Sequence, residues 1–194
     1  MTQYRIETPI QTAPVLGREC GSCYACCVWL GIEELGKYTG QVCKHLSGGA
    51  DPSKRCSIYP TRPTACSGYE CMWRSGWGVD NLRPSECGIL ITPYQSESKP
   101  GHAAITVHVF DQAKAEATIS ITDLIAQLFA MPLVSEIRLV NIQHKKALFF
   151  SEGKIYRCKI LPPDGYESLI FATEDPPIGT YQTMEEPAPA SHQP

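Results

Sequence analysis

The chain has 194 residues, a formal net charge of −3 and ten cysteines, with 43% of its residues hydrophobic and 19% charged. That composition can bury a core and excludes wholesale disorder, and the mild acidity argues against a dedicated nucleic-acid binder, which normally carries a basic excess. No apolar run approaches the roughly 18 residues of a membrane-spanning helix, and residues 1–17 lack the basic-then-apolar order of a secretory signal.

Residues 1–17 read as an N-terminal extension. Nine of the ten cysteines then fall between residues 20 and 87, in a stretch rich in Gly, Ser and Pro. Region 18–87 therefore reads as loops and short helices held by something other than a large core. From residue 88 the character changes. The β-branched runs 88–94 (GILITPY) and 103–110 (AAITVHVF) predict two strands, separated by a polar loop over 95–101. Leu124, Ile125, Leu128 and Phe129 recur at helical spacing over 122–131, with Thr122 as N-cap and Pro132 as the stop. Strands follow at 136–142, 146–151 and 154–161, the last two joined by the hairpin signal Glu152-Gly153. The order implies an α+β module over 88–161, with a small, mainly antiparallel sheet and one or two helices. Residues 162–194 carry seven prolines, six acids and no Lys or Arg, which reads as an extended acidic tail. Only its part around 166–171 is expected to pack on the body. No internal repeat is visible.

Ten cysteines without an export signal predict a reducing, cytoplasmic setting, with thiols kept for metal or redox work. The cluster opens Cys20-Gly-Ser-Cys23-Tyr-Ala-Cys26-Cys27. Cysteines two residues apart can aim both sulfurs at one ion through a tight turn, and Gly21 favours that turn. A helix starting near Cys23 would place Cys23, Cys26 and Cys27 on one face, its N-terminus lowering the thiol pKa. Cys43, Cys56, Cys66 and Cys71 then arrive singly, as ligands do when a site pins distant loops together. Cys20, Cys23 and Cys26 also match the first three ligands of a bacterial ferredoxin run, but the fourth does not follow. The eight cysteines would fill two four-thiolate zinc sites, hold one four-iron cluster plus a further site, or form one site with spare thiols. Arg62, stiffened by Pro60 and Pro63, is the expected donor to the sulfurs.

The opening cluster, Cys43-Lys-His-Leu46, and Cys56-Ser-Ile-Tyr59-Pro-Thr-Arg62-Pro63-Thr-Ala-Cys66 together resemble the CxxCxxCC cysteine-cluster family, over about residues 18–75. The resemblance implies chelation of zinc or iron. A related cluster in flagellin lysine methylases implies an iron–sulfur cluster, although no glycine-rich nucleotide loop follows a strand here. The expected function is thus a metal-binding protein holding zinc or iron, with an iron–sulfur cluster as one form, through Cys20, Cys23, Cys26, Cys27, Cys43, Cys56, Cys66 and Cys71. Its partner would be the metal ion, with no membrane or nucleic acid involved. Two alternatives stand beside it: an iron–sulfur enzyme or electron carrier, and a metal-shaped module that binds a protein partner through Trp73 and Trp77.

Other residues read more plainly. Cys87 is a spare ligand or a small buried residue, and Cys158 a core thiol. His45, two residues after Cys43, is a solvated loop residue or a ligand. His108, flanked by valines, is expected to point outward or to be lightly buried. Trp29, Trp73 and Trp77 provide hydrophobic cover for the cysteines. Glu33, Glu34 and Glu70 make no catalytic pair, and no Ser-His-Asp arrangement has local support.

Overall fold

The computed structural model describes residues 3–6, 13–47, 56–141, 144–162, 164–165 and 169–181. Their architecture is α+β. Seven strands form a mostly antiparallel sheet in the order β1-β7-β6-β5-β4-β3-β2, and β8 pairs with β6. In chain order the elements are β1 (Gln3–Ile6), α1 (Ala25–Trp29), α2 (Thr64–Ser67), α3 (Pro84–Cys87), β2 (Ile89–Gln95) and β3 (Ala103–Val109). Then follow α4 (Gln112–Thr118), α5 (Ile121–Phe129), β4 (Val134–Asn141), β5 (Lys146–Ser151), β6 (Lys154–Leu161), β7 (Leu169–Thr173) and β8 (Gly179–Thr180). No helix among the described residues is long and apolar enough to cross a membrane.

The central strands are buried on both faces, which is why they read as unbroken apolar runs rather than alternating ones. Ile89, Ile91, Ile105, Val107, Val109 and Ile137 pack against Leu124, Ile125 and Leu128 of α5. On the opposite face Leu90, Tyr94, Ala104, Val140 and Phe149 pack against Ala25, Trp29, Leu30 and Ile32 of the cysteine-rich region. The sheet is therefore the floor on which that region sits.

Local chemistry explains most boundaries. Glu152 and Gly153 both take left-handed angles (φ 49° and 73°), giving the two-residue turn that matches strand twist between β5 and β6. The apolar stripe of α5 is the predicted one, but the helix starts at Ile121 with Ser120 as its N-cap. α4 is the second of the one or two helices expected in this module, and no apolar stripe locates it in the sequence because only Ala115 of it is buried. Its start is fixed by Asp111, whose side chain accepts from the Lys114 amide. The crossover through α4 and α5 makes β3 and β4 the parallel pair in the sheet.

Segments read as an extension and a tail contribute to the sheet. β1 pairs with β7, and β7 with β6. Residues 182–194, the remainder of the expected tail, lie outside the described residues.

Gly88 closes α3 in the left-handed region (φ 70°), and a Cβ there would lie 2.4 Å from the Asp111 carbonyl oxygen. That carbonyl cannot retreat freely, because the Phe110 and Asp111 amides donate to the Gly88 oxygen. Gly88→Ala should therefore cost about 2 kcal/mol or more, from backbone strain plus the clash. Thermal denaturation against Gly101→Ala, where nothing lies within 4 Å of the added Cβ, isolates the clash.

A thiol-lined cavity as the candidate functional site

The cysteines are delivered by a series of tight turns. The Cys20 carbonyl accepts from the Cys23 amide at 2.8 Å, that of Cys43 from Leu46 at 3.0 Å, and that of Cys56 from Tyr59 at 3.2 Å. Gly21 supplies the left-handed angle (φ 47°) inside the first of these. Cys26 and Cys27 lie on α1, which starts at Ala25, so Cys23 precedes the helix rather than beginning it. Cys66 lies on α2. The Cys43 amide donates to the Cys27 carbonyl at 2.9 Å, placing those two residues side by side.

These segments enclose one cavity of about 210 Å³, and Cys20, Cys23, Cys26, Cys27, Cys43, Cys56, Cys66 and Cys71 all line it. All eight are half-buried free thiols, as are the two remaining buried cysteines free, so no disulfide framework is present. Cysteines separated by up to 51 positions in sequence (Cys20 to Cys71) thus line one cavity.

They do not share one point. Among the described residues, no three Cys, His, Asp or Glu side chains are grouped so that they could hold a metal ion. A four-thiolate site needs every sulfur about 2.3 Å from one centre, whereas these thiols are spread around a cavity. Some already have other partners: Arg74 Nη1 donates to Cys20 Sγ at 3.1 Å. Burial also favours the protonated thiol, pushing Cys66 and Cys71 up to about 11 and raising Cys23. The expectation of a zinc, iron or iron–sulfur protein built on these eight cysteines is therefore corrected. So are its two alternatives, the iron–sulfur enzyme or carrier and the metal-shaped module. Spacing brought the segments to a common cavity, not to a common centre.

Two of the thiols differ sharply. Cys26 and Cys27 are adjacent and interact. The Cys26 side chain holds Cys27 down to about 7, against burial, and Lys37 adds to the lowering. The same contact, reinforced by burial, raises Cys26 well above the ordinary thiol range. Cys26 thus keeps its proton, while Cys27 ionises around neutral pH.

Lys37, one of eight basic residues in region 18–87, was not expected to be buried among the thiols. It pairs with Ile32 in an isolated bridge, is 4% exposed, and donates through Nζ to the Leu30 carbonyl. Burial pulls its ammonium down to about 8, opposed by the surrounding thiols. Arg74, another of those basic residues, was passed over in favour of Arg62, although its i,i+4 spacing from Glu70, to which Nε pairs at 2.6 Å, is visible in the sequence. Arg62, the expected donor to sulfur, lines the cavity. Its guanidinium instead lies 3.9 Å over the Tyr59 ring and donates to the Tyr59 carbonyl.

The remaining candidates separate from the site. Cys87 is 1% exposed and lies within hydrogen-bond reach of the Leu82 and Ile89 carbonyls. Cys158 is a core thiol in β6. His45 does not line the cavity. His108 is buried, not outward: it stacks on Trp29 at 3.9 Å, and burial holds its pKa down to about 3, so it stays neutral. Trp73 and Trp77 pack against the helix-side core rather than over the thiols. Arg18 clamps them by donating to both of their carbonyls.

Native Cys27 and Lys37 both bind protons less tightly than their ordinary values of 9.0 and 10.5 imply. At these two groups the native state therefore holds fewer protons than the unfolded chain, and their contribution to stability rises with pH. The Cys27 contribution is full above pH 9 and is lost as pH falls through about 7; Lys37 extends the rise beyond pH 8. Six thiols raised above their ordinary 9.0 (Cys23, Cys26, Cys66, Cys71, Cys87 and Cys158) oppose it as pH approaches and passes 9. Denaturation midpoints of the reduced protein should climb from pH 7 to pH 8 and level off toward pH 9, and Lys37→Met should turn that plateau into a fall.

No protein-family model matches the chain, and neither a curated protein nor a solved structure is significantly similar to it. Its class is defined by its own structure: an α+β protein carrying a thiol-lined cavity on one face of its sheet.

Proposed function

We propose that this protein is a thiol–disulfide exchange protein, with Cys27 as the attacking thiolate and Cys43 as the resolving thiol. The single observation that carries the reading is the cavity onto which eight free thiols open. Attack on a disulfide is fastest when the thiol pKa lies near the ambient pH, the range in which Cys27 sits.

The chemistry balances within the protein and a disulfide substrate. Cys27 Sγ⁻ attacks one substrate sulfur, the substrate S–S bond breaks, and the departing thiolate takes up a proton. Cys43 then loses its proton and attacks Cys27 Sγ, forming the Cys27–Cys43 bond and expelling the second substrate thiolate, which is protonated in turn. One substrate disulfide becomes two thiols, and two protein thiols become one disulfide.

The test uses the full chain purified without oxygen. Metal and acid-labile sulfide are measured first, and the reduced protein is then treated with bis(2-hydroxyethyl) disulfide and mapped by mass spectrometry. The expected result is substoichiometric metal and sulfide, with a Cys27–Cys43 bond formed before any other. Stoichiometric metal or sulfide on the thiols, or oxidation with no preference for Cys27, overturns the reading.

A further inference from the structure

The cavity wall carries more than sulfur. Lys37, Arg62 and Arg74 line it against a single carboxylate, Glu70, which is itself paired with Arg74. A chain of net charge −3 thus concentrates positive charge around its thiols. Arg62 has no carboxylate partner among the described residues. It is held flat on Tyr59 and bonded to the Tyr59 backbone, in a loop bounded by Pro60 and Pro63, so its position is fixed while its charge is left uncompensated.

We infer that the substrate is a low-molecular-mass disulfide bearing carboxylate groups. This inference rests on the thiol–disulfide reading above. A space of about 210 Å³ equals on the order of seven water molecules at roughly 30 Å³ each. It accepts a compact disulfide, and it is too small for the bulk of a folded protein. Cationic walls raise the local concentration of an anion and steer its approach. The planar guanidinium of Arg62 matches a carboxylate in two parallel hydrogen bonds, which an ammonium does not. Arg74, beside Cys20, extends the positive field along the wall.

Stopped-flow oxidation of the reduced full chain compares three disulfides: dithiodipropionate (dianionic), bis(2-hydroxyethyl) disulfide (neutral) and cystamine (dicationic). Each rate is divided by the rate of the same disulfide with a free small thiol, which removes intrinsic reactivity. The expected order is dianion, neutral, dication, with about tenfold between the first two at low salt. Added salt should compress that ratio, and Arg62→Gln should lower the dianion rate more than the neutral one. Should Arg62→Gln fail to fold, the salt dependence of the unaltered protein decides. Equal normalised rates, or a cationic preference, overturn the substrate class while leaving exchange at Cys27 intact. Failure of all three to form the Cys27–Cys43 bond overturns the exchange reading on which the inference rests.

Discussion

Cys27→Ser should remove the fastest phase of thiol modification at pH 7, a phase about a hundredfold faster than the reaction of Cys66 and Cys71. The magnitude follows from ionisation. A thiol at about 7 is roughly half ionised at pH 7, whereas Cys66 and Cys71, pushed to about 11, are ionised to about one part in ten thousand. Higher basicity makes the rare thiolate more nucleophilic. With a Brønsted slope of roughly 0.4–0.5 over four pKa units, that recovers a factor of about sixty. The net advantage of Cys27 is about two orders of magnitude. Timed alkylation with peptide mapping reads it directly, and the fast phase should titrate in with a midpoint near pH 7. A fast phase that survives Cys27→Ser and maps to Cys66 or Cys71 would sink the assignment.

That assignment depends on neighbours the sequence hides. The turn between Cys20 and Cys23 is legible from spacing, because a Cys-x-x-Cys pattern with Gly21 inside it specifies a local bend. The distance between sulfurs is not legible: it depends on how α1, α2 and the loops between them settle on the sheet. Lys37 is a single lysine in a polar turn and gives no signal of its burial. Glu70 and Arg74 do give one, through their helical spacing.

His108 shows why a correct element can still yield a wrong environment. Strand β3 was legible from its β-branched residues, and alternation puts His108 opposite Val107 and Val109. An outward histidine follows only if one sheet face meets water. Here Val107 and Val109 meet the helix-side core, while the face of His108 is covered by Trp29. The cover comes from a segment some eighty residues earlier, which no local pattern reports. The same applies to β1 and β7: five residues or fewer in each, their strand character arises from pairing across the whole chain.

The face beneath the thiol region also contains a charged pair, and breaking it should be the costliest single substitution for stability. Glu136 is fully buried and Arg138 is 2% exposed; they pair at 3.0 Å from adjacent same-face positions of β4. Ser96 donates to Glu136 at 2.8 Å, and Ser98 donates to the same oxygen. Removing the carboxylate by Glu136→Ala leaves the guanidinium in the core without its counter-charge, which costs about 3–5 kcal/mol. At roughly 2–4 °C per kcal/mol for a chain of this size, the melting temperature should fall by about 10 °C. The double variant Glu136→Leu/Arg138→Met removes both charges and should recover most of that loss, because desolvating an ion pair offsets much of its attraction. A double-mutant cycle by chemical denaturation measures the difference. A Glu136→Ala cost below about 1 kcal/mol would mean that water reaches the pair. The sheet under Trp29 and α1 would then be a wet, yielding floor, rather than the rigid support that a fixed pairing of Cys27 with Cys43 requires.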